Sequence, residues 1–343
     1  MNRDEAHRLL ALAREAAPEL LGPNPEPWLD RIDAEQLHLR RALEWFLEEG
    51  DGRPALELAA SVWPYWWGRG HLDEGRQLLD AALTAPGAVV RAPVRAQALR
   101  GAGTLAFRQG RTEQAEAWFE EGYALAEELG EQKLVVLALT DLARIALRRG
   151  DYETVRARSE EARALARARG AREDERGPVH LLAAAARMQG RLADARQLYG
   201  ESLELLREVG NRRVVAGELH NLGHVELHDG DLVRAKELFR ESLDLVWELR
   251  DLYLLPYCVC DFGIVALADG DLERAARLLA AGTGLFEETG AVPDPDDQVE
   301  IENALVRLRA TLDDELFTTA WTEGRRLAVN DVANDALRAV ERA

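Results

Sequence analysis

Along most of the chain, apolar positions fall three or four residues apart, the spacing of one face of a helix, in blocks of about twenty residues. Glycines separate the blocks. They stand at 70, 110, 150, 190, 230 and 270, each forty after the last, and a second set follows at 130, 170, 210 and 290. Around these anchors the text repeats, as in "QGRTEQAEAWFEEGYALAEELG", "QGRLADARQLYGESLELLREVG" and "DGDLERAARLLAAGTGLFEETG". Glycine followed by Asp or Arg predicts a tight turn, because glycine takes the left-handed end of a helix without strain. The pattern therefore predicts a pair of antiparallel helices in each forty-residue period.

Within the period the residue sizes are ordered. Seven before the anchor stand Gly103, Ala143, Ala183, Gly223 and Gly263; five after it stand Ala115, Val155, Ala195, Ala235 and Ala275. Nine after it comes a larger filler, Leu79, Phe119, Tyr199, Phe239 and Leu279, with Ser159 as the exception. Small residues at both places allow two helices to approach closely. At these positions the chain resembles the tetratricopeptide repeat, although its period is forty rather than thirty-four. The resemblance implies an all-α fold: a right-handed superhelix, or α-solenoid, of about six helical hairpins. Residues 51–290 are expected to form the repeat array, with capping helices over 1–50 and 291–343.

The two ends carry further signals. "GPNPEP" divides residues 1–50 into two helices, the second with an apolar stripe of Trp28, Leu29, Ile32, Leu39, Leu43 and Phe46. Pro64, inside "SVWPYWWG", is expected to kink its helix or begin it afresh, and Trp63, Trp66 and Trp67 are expected in the core. "AVPDPDD" at 291–297 reads as an acidic linker before three closing helices, the last starting after Asn330. "PWLDRIDAEQLHLRRALEWFLEEGD" and "ELFTTAWTEGRRLAVNDVANDAL" resemble the two ends of the repeat region in large bacterial ATP-binding transcriptional regulators. These are the signal-transduction ATPases (STAND class) with LuxR-like or related DNA-binding domains. The resemblance implies a sensor module whose ATPase or DNA-binding partner lies elsewhere, since no G-x-x-x-x-G-K-[ST] occurs in the chain.

Charge narrows the function. Acids outnumber Lys and Arg by 62 to 43, a net charge of −19, which disfavours direct nucleic-acid binding and anionic membrane surfaces. Cys258 and Cys260, as C-x-C, suit neither an ordinary disulfide nor a zinc pair, and a cytoplasmic location is expected. No stretch is apolar enough for long enough to span a bilayer.

Against that acidic background one stripe is basic. His220, His224 and His228 lie ten, six and two residues before Gly230. The same offsets in other periods give Arg100, Thr104 and Arg108; Thr140, Arg144 and Arg148; and His180, Ala184 and Met188. Four of these twelve places hold arginine, four hold histidine and none holds an acid. The tetratricopeptide resemblance implies that this face lines a groove, with Arg187 and Tyr257 flanking it. Arginine's planar fork suits carboxylate or phosphate, so the expected partner is a protein, a peptide or a small anionic inducer. The competing reading is internal: the stripe neutralises acids of neighbouring repeats. A metal is a third reading, because His220 and His224 sit four apart on one face; Asn221, however, stands where a zinc protease would place its catalytic glutamate. No metal, cofactor or catalytic residue is assigned. The reading is a non-enzymatic ligand- or protein-binding sensor module, with a stand-alone peptide receptor or scaffold as the alternative and a metal-dependent hydrolase as a remote one.

Overall fold

The computed structural model describes residues 1–327, apart from the side chains of residues 207–209, and the helix expected after Asn330 lies outside the described residues. All regular structure among the described residues is helical. Six hairpins follow the forty-residue ruler: α3 (Gly52–Gly68) with α4 (Leu72–Thr84), α5 (Pro93–Arg108) with α6 (Thr112–Leu129), α7 (Gln132–Arg148) with α8 (Tyr152–Ala168), α9 (Arg176–Met188) with α10 (Leu192–Val209), α11 (Arg212–Asp229) with α12 (Leu232–Glu248), and α13 (Leu255–Asp269) with α14 (Leu272–Thr289). They are preceded by α1 (Arg3–Leu20) and α2 (Glu26–Glu48) and followed by α15 (Pro295–Thr311) and α16 (Asp314–Gly324). This is a tetratricopeptide-like helical solenoid.

The chain divides into two compact units, residues 1–181 with 209–211, and residues 182–208 with 212 onward; the division falls inside α9. In the first unit, Trp63 and Trp66 are buried as the core. Only glycine fits against them: a Cβ on Gly101 would stand 2.6 Å from Trp63, and one on Gly75 would stand 2.6 Å from Trp66. α3 runs through Pro64 and does not begin there, so the proline lies inside a continuous helix. In the second unit, Phe239, Val246, Val259 and Phe262 centre one apolar cluster, and Ile264, Phe286, Ile301 and Leu308 centre another, which holds α15 against α13 and α14.

The turns explain the ruler. Anchor glycines take left-handed backbone, φ 69° at Gly150, 90° at Gly230 and 83° at Gly270. The aspartate after each then caps the next helix: Asp151 accepts from the Thr154 N–H at 3.1 Å, Asp231 from Arg234 at 2.9 Å and Asp271 from Arg274 at 3.3 Å. One residue ends a helix and its neighbour starts the next. Position 250 should hold the glycine twenty after Gly230, but Arg250 stands there and still takes φ 50°. The small–large order is also explained. A Cβ on Gly103 would lie 2.4 Å from Phe119, and one on Gly223 would lie 2.5 Å from Phe239, so each ring seats on bare backbone of the partner helix. Cys258 and Cys260 are free and buried.

Candidate functional site

The three histidines of α11 leave that helix on one side, as their spacing of four dictates. What they meet comes from helices later in the same unit. Asp261, on α13, accepts from His220 Nδ1 at 2.6 Å and from His224 Nε2 at 2.9 Å. Asp297, in the first turn of α15, accepts from His220 Nε2 at 3.0 Å and from Arg187 Nη2 at 3.1 Å. Asp296 accepts from the same Arg187 nitrogen at 2.6 Å, and Glu300 meets His228 Nε2 at 2.7 Å. The result is a chain of ion pairs that ties α9, α11, α13 and α15 together.

Burial makes this network consequential. His220, His224 and Asp261 are buried, and so are Arg187, Asp296 and Asp297. A carboxylate on each ring nitrogen requires both nitrogens of His220 to donate, which only the imidazolium does. Burial opposes that charge, yet Asp261 and Asp297 overcome it and hold the His220 pKa well above its ordinary value. Burial likewise works against Asp297, but His220 and Arg187 keep it ionised far below the usual carboxylate range. Burial would raise Glu300, yet the His228 hydrogen bond and the charges of His224 and Arg187 lower it to about 2. The satisfaction is incomplete. Nε and Nη1 of Arg187 are buried without an acceptor and Nδ1 of His224 without any hydrogen-bond partner, each at a cost of about 1–3 kcal/mol.

His220, His224 and Asp261 also bring three potential metal-ligand atoms within 4.8 Å of one another. The distances discriminate. Donor and acceptor lie 2.6 and 2.9 Å apart, whereas ligand atoms around a tetrahedral zinc with bonds of about 2.0–2.1 Å stand roughly 3.3 Å apart. These contacts are hydrogen bonds. Asn221, in the position of a hydrolase base, accepts from the Tyr199 hydroxyl at 3.3 Å and donates to the Gly217 carbonyl at 2.9 Å.

In this unit, therefore, the basic stripe faces its own acids. Arg187, His220, His224 and His228, expected to line an open groove, have carboxylate partners. Tyr257, expected at the rim, is a core residue whose ring lies 4.8 Å from Phe286 and 5.8 Å from His220. "AVPDPDD" is not all linker either: α15 starts at Pro295, which converts Asp296 and Asp297 into first-turn residues, where the helix dipole favours acids.

The first unit carries Arg100, Thr104, Arg108, Thr140, Arg144, Arg148 and His180. Arg100 donates to Asp141 of α7 at 2.8 Å and lies 5.5 Å from the Trp63 ring centre. Arg108 is buried, and Arg148 stacks 3.9 Å over the Phe107 ring. Thr140 spends its hydroxyl on the Val136 carbonyl at 2.8 Å. Thr104 and His180 are half-buried. Arg144 is also half-buried on α7, and its guanidinium meets no acid or other hydrogen-bond partner among the described residues. The twelve expected residues are thus split between the two units: Arg187, His220, His224 and Tyr257 gather in the second, and Arg108 and Arg148 meet at the Phe107 ring in the first.

The basic pattern alone does not identify the partner acids. A signal existed. Asp141 and Asp261 both lie nine residues before an anchor glycine, and each pairs with the residue ten before the preceding anchor, Arg100 or His220. Both pairs span forty-one residues.

Residues 94–168 and 178–246 match the family model described as "Tetratricopeptide repeat". No curated protein matches the sequence. Among solved structures, a Rap protein complexed with Competence and Sporulation Factor is similar at 14% identity, covering 99% of this chain and 93% of that one, with a TM-score of 0.59. NprR in complex with its cognate peptide NprX shares 17% identity over 84% of both chains, with a TM-score of 0.54. The apo form of RapI shares 11%, covering 84% of this chain and 99% of that one, with a TM-score of 0.50. At such identities the likeness establishes the fold. None of the described helices is long and apolar enough to cross a membrane.

Proposed function

We propose that this protein is a non-enzymatic protein- or peptide-binding module whose open recognition wall is the face of α5 and α7 in the first unit. Arg144 carries the reading: a half-buried guanidinium without a counter-ion among the described residues of a chain whose net charge is −19. Arg100, Thr104, Arg108, Thr140 and Arg148 surround it in the repeat register, with His180 in the following period. Such a group favours a carboxylate, which it can take as a bidentate partner. The solved complexes of NprR with NprX and of a Rap protein with Competence and Sporulation Factor support a peptide as partner, because the fold is shared. The finer reading is a cytoplasmic sensor in bacterial transcription regulation, working with an ATPase or DNA-binding domain. It rests on the end motifs.

The test is a peptide-library selection on the full chain, repeated with Arg144→Glu. Arg144 is the position to reverse, because Arg108 is buried and a carboxylate there would cost stability as well as binding. Acid-containing peptides should be enriched on the wild type and lost from the variant at unchanged melting temperature. Equal enrichment on both would remove Arg144 and this wall from recognition.

A further inference from the structure

We propose that the wall of the second unit formed by Arg187, His220 and His228 is a recognition surface for an acidic peptide, and that residues 294–300 are its resident, self-supplied occupant. This goes beyond the reading of the α5–α7 wall and uses none of its residues.

Three observations carry the inference. The first is chemical complementarity. Asp296, Asp297 and Glu300 place three carboxylates within one and a half turns of α15, and each meets a cationic or donor side chain at 2.6–3.1 Å. The pattern D-D-x-x-E is thus a ligand that the wall demonstrably accepts. The second is that the resident fits incompletely. Nε and Nη1 of Arg187, both buried, have no acceptor, so the wall offers more donors than residues 294–300 engage. A peptide bringing a further carboxylate or carbonyl group would be the better complement. The third is mechanical. The occupant is the first turn of α15, entered through a loop, and its N-cap Asp294 is held by hydroxyls: its N–H donates to Tyr257 at 3.3 Å and its carboxylate accepts from Tyr253 at 3.4 Å. The apolar anchorage lies further on, where Ile301, Ala304 and Leu308 pack into the α13–α14 cluster. Displacing residues 294–300 therefore exchanges polar contacts for those of an incoming acidic peptide, while the apolar anchor of α15 stays seated.

The experiment is chemical rescue on the full chain. The probe is an acetylated peptide of residues 293–303, PDPDDQVEIEN; the control is the same peptide carrying Asp296→Asn and Asp297→Asn. The full-length double variant Asp296→Asn/Asp297→Asn should melt below the wild type by about 5 °C or more. The acidic peptide at saturation should restore at least half of that loss, and the control none. Acidic and control peptides shifting the variant equally would overturn the proposal. If the variant shows no cooperative melting, hydrogen exchange on the wild type decides. Saturating acidic peptide should then speed exchange of the amides of residues 296–300 about tenfold, and unchanged exchange would overturn the proposal. Arg144→Glu should leave every one of these readouts unaltered, so this inference and the proposed α5–α7 wall can fail separately.

Discussion

Asp261→Asn is the sharpest test of the buried network. The substitution keeps the shape of a side chain that is 1% exposed but removes its charge. An asparagine can accept at its Oδ1 and must present an NH2 at the other position. Of the two donors now served, His220 Nδ1 at 2.6 Å and His224 Nε2 at 2.9 Å, one therefore faces another donor. The His220 imidazolium would retain only Asp297, which it shares with Arg187. Removing one member of a buried ion pair costs about 3–5 kcal/mol, because the survivor stays desolvated. For a unit of roughly 160 residues that corresponds to a fall in melting temperature of about 6–20 °C. Chemical denaturation of the full chain, followed by circular dichroism, measures it. The pH dependence supplies an independent check. The His220 pKa is raised in the folded protein, so its stabilisation is fully present below its unfolded value of about 6.5 and is lost as pH rises through the folded value. The gap between wild type and variant should accordingly narrow at alkaline pH. A loss below about 1 kcal/mol, or a gap that widens with pH, would refute the assignment of His220 as a buried cation held by Asp261.

Three further outcomes are expected. Gly103→Ala and Gly223→Ala should each cost about 1–3 kcal/mol, since their Cβ atoms would fall 2.4 and 2.5 Å from Phe119 and Phe239; Gly217→Ala, with nothing within 4 Å, should instead stabilise α11 by up to about 1 kcal/mol in the same urea titrations. Arg250→Gly should raise stability by about 0.5–1 kcal/mol, because relief of the left-handed arginine at φ 50° exceeds the added freedom of the unfolded chain. Glu300, lowered to about 2 from 4.5, contributes stability that is present above pH 4.5 and is lost as pH falls towards 2. Its worth is nearer 1 than 3 kcal/mol, because His228 is 44% exposed and screened, and Glu300→Gln should flatten the acid limb of the stability curve accordingly.

The hairpins were legible in the sequence because their causes are local. A left-handed glycine, a capping aspartate after it, and a ring nine residues on that demands a small partner all recur with the period, and each can be recognised without knowing what lies across the molecule. The basic stripe was legible for the same reason. Its occupants were not. His220 and Asp261 lie forty-one residues apart and Arg187 and Asp297 one hundred and ten, and nothing in a helical period says which distant acid will fold onto which wall. Asp296 and Asp297 were further disguised by prolines that suggest a loop, although Pro295 is placed where proline is welcome, at the first position of a helix. Asp141 and Asp261 could have been found, because they share one offset from the anchor glycines.

That shared offset constrains how the chain can change length. A single residue inserted within a helix between positions 100 and 141, or between 220 and 261, would turn every later side chain by about 100° and swing the aspartate away from its partner. Such insertions are tolerable only at the joints, whereas adding or excising a complete forty-residue block returns the acid to the same bearing. The molecule is graduated like a vernier scale, and whole divisions are the natural increments by which it can be lengthened or shortened.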